Sequence, residues 1–303
     1  MMKKNTDDSR HFIAYRTKKP LAQFSPVRTY CIIPFHRRTA GHCFRFISSV
    51  LTNFFLLQQK QKLGLTHIPV VHVDHPLDES IAFTPEKVNI YLDFVAFFVR
   101  IFSMMLKTFG LKTGAKYCAD YLDFLKKLYD DAASVYSQCL STTNRPHYKK
   151  NIRFLIIHLF DPHLLCVPSL HVAIVAGSWA FVRTVFAQND IPLAEKEKQQ
   201  ILDEIYGGAV AIIETVLYVK QHSINCVSAA LYMLSATGED FFSADDAKQI
   251  ADDLFASQND IEESAKTEIR AYIFALYQSL QTSAASASSW QQPILDFLHG
   301  YQP

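Results

Sequence analysis

Residues 168–188 read Pro168-Ser169-Leu170-His171-Val172-Ala173 followed by IVAGSWAFVRTVFAQ, and this stretch decides the fold. Proline is tolerated in a helix's first turn because its missing N–H would have no partner there. The apolar run behind it, broken only by Arg183, predicts a helix opening at Pro168. It closes one of four apolar stretches, at about 44–57, 88–106, 152–186 and 205–234. Each stretch carries polar breaks: Arg45 in the first; Asp93 and Arg100 in the second; His158, Asp161 and His163 in the third; Glu214, Lys220 and His222 in the last. Aromatic residues are plentiful and glycines number nine, too few for the many tight turns of an all-β chain. The expected class is all-α, a helical bundle.

Between these stretches the signals are local. Over 116–140 the positions Cys118, Leu122, Leu125, Tyr129, Ala132, Val135 and Cys139 recur at helical spacing opposite charged residues, which predicts an amphipathic helix. Residues 63–85 carry Gly64, Pro69, Pro76 and Pro85 and read as a loop, with a β-like run at 68–73. Ser243 with Asp246 resembles a capping box, and a further amphipathic helix is expected over about 261–280. The run SAASASS at 283–289 reads as a flexible linker to a short aromatic end. Three regions follow: a basic, irregular surface arm over 1–40, a helical domain over 41–238, and C-terminal amphipathic helices with a tail over 239–303.

Thirty basic against twenty-nine acidic side chains give a net charge of +1. That balance excludes a nucleic-acid binder that relies on a wide basic surface, so any anion site must be local. The six cysteines form no CxxC pair and are expected to be reduced or buried thiols. Residues 1–16 are polar and charged, resemble neither a signal nor a transit peptide, and are expected in the cytosol. The interrupted apolar stretches fit either a membrane bundle whose charges face an internal site or the core of a soluble or membrane-surface protein. In the first case the basic N-terminal region should lie on the cytoplasmic side.

The chemistry centres on Pro168-Ser169-Leu170-His171 and, 51 residues after His171, on Tyr218-Val219-Lys220-Gln221-His222. The first segment resembles the PSGH motif of the type 2 phosphatidic acid phosphatase and haloperoxidase superfamily, in the PSLH form of its inositolphosphorylceramide-synthase-like branch. The second is similar to the KQH-type third motif of that branch. The likeness spans about residues 144–234. It implies a helical bundle of that kind that needs no cofactor or metal and acts on a lipid phosphate or similar phosphomonoester at a membrane. It gives His171 the role of general acid and His222 that of nucleophile.

Elementary chemistry runs alongside. A helix N-terminus offers backbone N–H groups and a favourable dipole to an anion, and Ser169 would add a hydroxyl. A protonated His171 could serve the leaving oxygen, and His222 could divide the displacement through a phosphohistidine. Arg145 and Pro146 match the end of the first family motif, KxxxxxxRP, whose lysine position is Gln138. Lys149 and Lys150 either substitute for it or are solvated. Where the family has SRxxxxxH this chain has Thr215 and Val216, and the aspartate expected four residues after the nucleophile is Cys226. Lys220 could supply the missing charge. The candidate phosphate-binding set is therefore Ser169, Arg145, Lys220 and Lys149. These departures leave open a second reading, a member of the same fold that binds without turnover; a soluble helical scaffold is a third. His72-Val73-Asp74-His75, with His67 nearby, resembles part of the HxHxDH metal motif of metallo-β-lactamases but has Val70 at its first histidine position, so a polar loop is the plainer reading.

Overall fold

The computed structural model describes residues 19–146, 148, 162–188, 191–238 and 240–302, and the protein is all-α. Helix α1 spans Pro26–Ile32, and α2, Ala40–Val50, runs through a π-helical turn, Leu51–Leu56, into α3, Leu57–Lys62. After strand β1, Val70–His72, come two 3₁₀ turns, Pro76–Ser80 and Pro85–Lys87, then α4, Val88–Leu92, and α5, Phe94–Tyr136. Strand β2 is Leu140–Thr142. Among the described residues that follow come α6 Leu170–Gln188, α7 Glu195–Tyr218, α8 Ile224–Thr237, α9 Ala244–Asp253, α10 Glu263–Ala284 and α11 Gln292–Gly300.

Helix α5 is a hairpin. Gly110 adopts φ 72° and ψ 172°, a region open essentially to glycine alone, and the chain folds back there. The two limbs come so close at Gly114 that an added Cβ would lie 2.6 Å from the Met105 carbonyl oxygen. The polar breaks in the first limb are matched to each other. Arg100 and Asp93 form a two-point buried ion pair, with Lys19 Nζ 2.9 Å from Asp93 Oδ1. Seven residues apart on one helical face, they neutralise each other where either alone would be costly.

Helix α6 is the core element, packed by α5, α7 and α8 and buried along most of its length. Glycine at 177 admits Phe124 and Leu234 against its backbone. The strands pair in parallel, Val70 to Leu140 through His72 to Thr142, and Leu165 bridges to Ser141. The C-terminal helices belong to the same packing. Arg183 of α6 grips the Asp246 carboxylate of α9, α10 lies along α8, and Tyr272 Oη donates to Asn225 Oδ1 at 2.7 Å.

Several expectations are corrected. Residues 19–40 are not an irregular arm: Leu21 is fully buried, its amide donates to Glu204, and α1 packs on α5. Residues 1–18 lie outside the described residues. Pro168 stands two residues ahead of α6 rather than in its first turn, with Ser169 between. The 283–289 run is no free linker. Its first residues end α10, turns follow, and Tyr232 Oη donates to the Trp290 carbonyl at 2.8 Å. The 116–140 helix is the second limb of α5 and stops at Tyr136.

Among the described residues, three helical segments are long and apolar enough to cross a membrane: Ala40–Lys62, Pro85–Tyr136 and Leu170–Gln188. They differ in what covers them. The most apolar window of Leu170–Gln188 is 78% buried within the protein and that of Ala40–Lys62 only 11%, so α6 spends its apolar surface on the core while α2 and α3 present theirs outward.

Candidate active site

Two chain reversals build the site. At the first, Ser169 N-caps α6: its Oγ accepts from Val172 N at 3.4 Å, and its own amide donates to the Cys226 carbonyl at 3.3 Å. This ties the start of α6 to the start of α8 and sets His171 in the first turn of α6. At the second, α7 ends at Tyr218 and the chain turns sharply. Lys220 takes φ 53°, and the amides of Gln221 and His222 both donate to the Val216 carbonyl. Ser223 then caps α8 by accepting from Asn225 N, while Cys226 Sγ accepts from Ser223 N at 3.3 Å. Cys226 thus fills the reciprocal place of a capping box. Its physical role is to close the helix start, not to orient the histidine.

The two histidines meet. His171 Nδ1 lies 3.1 Å from His222 Nε2, with the rings 65° apart. The His171 ring packs between Tyr91, centroids 5.0 Å apart, and Phe94, centroids 4.6 Å apart. Phe54, Tyr91, His163, Cys166, Gln221 and both histidines line a cavity of about 20 Å³ beside the pair. That volume holds about one water. A tetrahedral oxyanion therefore needs the two imidazoles to part.

Burial holds both rings neutral. Residue His171 is half-buried overall, but its ring is enclosed by the aromatic walls, and this pushes its pKa down to about 4. His222 is lowered well below the ordinary imidazole value, first by burial and then by His171, His163 and Arg145; the Cys166 carbonyl works in the opposite direction. Between two neutral rings one nitrogen donates and the other accepts. Among the described residues His222 Nδ1 is buried without a hydrogen-bond partner. An arriving anion reverses the electrostatics, because negative charge beside an imidazole favours its protonated form.

The remaining predicted residues divide. Arg145 is close enough for its charge to act on His222, and its Nη1 donates to Gln221 Oε1 at 2.9 Å. Ser169 is fully buried, serves its own helix as a cap and does not border the cavity. Lys220 points away: its ammonium donates to the Asp78 carbonyl, outside the cavity wall. Lys149 lies outside the described residues. His163 escaped the sequence reading as a site residue, although it stands eight places before His171 in the apolar stretch at 152–186. Its Nε2 is 2.7 Å from Thr143 Oγ1, its ring contacts Cys166 Sγ, and it takes φ 61°. The rival histidine cluster has structural partners. His75 accepts from Leu77 N and stacks on Tyr272 at 3.9 Å, and Asp74 accepts from Asn144 N. Asp78, the next acid along, accepts from Ile224 N at 3.0 Å, placing a carboxylate at the N-terminus of α8, where the helix dipole favours it.

A neutral, desolvated pair of imidazoles in direct contact, with a guanidinium alongside, can pass a proton from ring to ring. It can also present one nitrogen lone pair to an electrophile. No family model, no curated protein and no solved structure matches this chain.

Proposed function

We propose that the protein is a metal-independent phosphoesterase or phosphotransferase acting on a lipid phosphate or similar phosphomonoester through a phosphohistidine, with the fold of the phosphatidic acid phosphatase and haloperoxidase superfamily. The observation that carries the reading is the 3.1 Å approach of His171 to His222 from opposite ends of a 51-residue separation. In the reaction His222 Nε2 attacks phosphorus and the P–O bond to the leaving group breaks. His171, protonated in the field of the bound anion, gives its proton to the leaving oxygen. Water then attacks the phosphohistidine, His171 takes a proton from it, and phosphate leaves as Nε2 recovers its lone pair. Burial favours the first step by keeping His222 unprotonated, and Arg145 supplies charge to the departing and attacking oxygens.

The test is phosphate release from phosphatidic acid in the presence of EDTA, together with trapping of ³²P on the protein. Wild type should release phosphate and carry an acid-labile label. His222→Ala should lose both, and His171→Ala should slow release by roughly 10²- to 10⁴-fold. Full activity in both variants overturns the assignment. One observation favours a second reading, binding without turnover: His222 Nδ1 is without a hydrogen-bond partner among the described residues, so no carboxylate among them orients the ring through that nitrogen. Under that reading wild type releases no phosphate from any monoester yet binds vanadate, and His222→Ala loses the binding.

A further inference from the structure

The charge balance of the whole chain conceals a segregation. Residues 19–73 contain seven lysines and arginines and no aspartate or glutamate, and all seven cations are exposed. This acid-free segment forms α1, α2 and α3. Thr29 of α1 bonds Ser103 on the first limb of the α5 hairpin, and Ser49 of α2 bonds Asp130 on the second, so the helices form a layer over both limbs. Their inner faces are held by these contacts. Their outer face is apolar: Phe44, Ile47, Leu51 and Phe55 are 64%, 43%, 51% and 42% exposed, a single stripe at helical spacing. Phe35, in the turn between α1 and α2, is 80% exposed.

The stripe also reaches the histidine cavity. In the π-helical turn Phe54 faces inward and walls the cavity beside His222, while its neighbour Phe55 faces out. On the other side of the cavity Tyr91 and Phe94 enclose His171, and the adjacent Leu92 and Val95 are 44% and 51% exposed. An exposed apolar rim with a cationic surround fits an anionic lipid surface, where aromatic and aliphatic side chains enter the interface and arginines meet the headgroups. A neutral partner would leave the acid-free charge without a counterpart, whereas an anionic bilayer meets the charge and the apolar stripe together. Two acids beside α2 are already engaged, Asp123 by His42 and Arg45 and Asp130 by Ser49 and Asn53.

We propose that the outer face of α1 to α3 is a docking surface for membranes bearing anionic lipid, on which the protein lies without spanning, with the mouth of the histidine cavity turned toward the headgroups. This rests on the lipid half of the function proposed above and is independent of its chemistry. It makes Phe44 and Leu51 membrane anchors, and Arg28 and Arg37 headgroup contacts.

The experiment is flotation of the purified full chain with vesicles of phosphatidylcholine alone or mixed with phosphatidylglycerol. Wild type should float with the mixed vesicles, stay behind with phosphatidylcholine alone, and be released by high salt or alkaline carbonate. The exposed-site variant Phe44→Glu/Leu51→Glu should bind about tenfold more weakly or worse. Arg28→Gln and Arg37→Gln should each weaken binding about fivefold. Thermal unfolding of the variants checks that they fold. Equal binding by wild type and Phe44→Glu/Leu51→Glu, equal binding to both vesicle types, or retention through carbonate overturns the proposal. So does a wild-type dimer in solution that Phe44→Glu/Leu51→Glu dissociates, since the face would then belong to a second copy. Release of phosphate from water-soluble p-nitrophenyl phosphate, measured on the same samples, reports on the chemistry separately. Failure of wild type to float while that activity is intact overturns the docking surface and leaves the chemistry standing, whereas flotation without activity condemns only the chemistry.

Discussion

Arg145 Nη1 stands 2.9 Å from Oε1 of Gln221, the residue immediately before His222. One amide side chain therefore connects the cation beside the histidine pair to the turn that carries the pair's second member. If phosphate is bound there, Arg145→Ala should raise KM on the order of ten- to a hundredfold, the worth of a charge-assisted hydrogen bond. Arg145→Lys should recover little, because a lysine cannot reproduce the planar fork. Gln221→Ala should raise KM only a few-fold, as it takes away one partner of the guanidinium and leaves the charge in place. Steady-state kinetics decide, and an unchanged KM in Arg145→Ala removes Arg145 from the site.

The depressed pKa of His171 makes stability depend on pH. The unfolded chain binds a proton near the ordinary value of 6.5, whereas the folded chain resists until about 4. Folding stability is thus complete above 6.5 and falls as pH drops from 6.5 to 4, by up to about 3 kcal/mol from this ring. Urea titrations across that interval should show the fall, and His171→Phe should flatten part of it. Burial of His222 acts in the same direction.

The ion pair in α5 predicts an asymmetry. Asp93→Ala strands Arg100, buried, and should cost about 3–5 kcal/mol. Arg100→Ala leaves Asp93 with Lys19 at 2.9 Å and should cost less. Adding Lys19→Ala to Arg100→Ala should raise the cost further. Denaturant unfolding of the four proteins tests this, and equal costs for the two single variants would contradict it.

Gly114→Ala should destabilise by about 1–3 kcal/mol, as overpacking does, because the new methyl would meet backbone of the opposite limb at 2.6 Å. Gly300→Ala, with open space around it, is the control and should change the melting temperature little.

Much of the helical class was legible because apolar spacing is a local property. The β-like run at 68–73 was also visible, as β1, but its partner at 140–142 was not, since strand pairing across seventy residues leaves no local trace. The same division governs the site. His171 and His222 stand out by their motifs, whereas His163 and Phe54 become neighbours of the pair only through folding. Lys220 and Ser169 show the opposite error. Spacing put them beside the histidines, yet a left-handed backbone at Lys220 swings its side chain toward Asp78, and the Ser169 hydroxyl is spent capping its own helix. Cys226 looked like a lost aspartate in sequence and is a capping group in space.

The hydroxyl of Tyr301 donates to the carbonyl of Asp74, 227 residues earlier, and the loop it fastens also supplies Asp78 to the first amide of α8, two residues after His222. During synthesis every histidine of the cavity is outside the ribosome long before Tyr301 is made. The loop that meets the first amide of α8 therefore gains this fastening only once residue 301 has emerged.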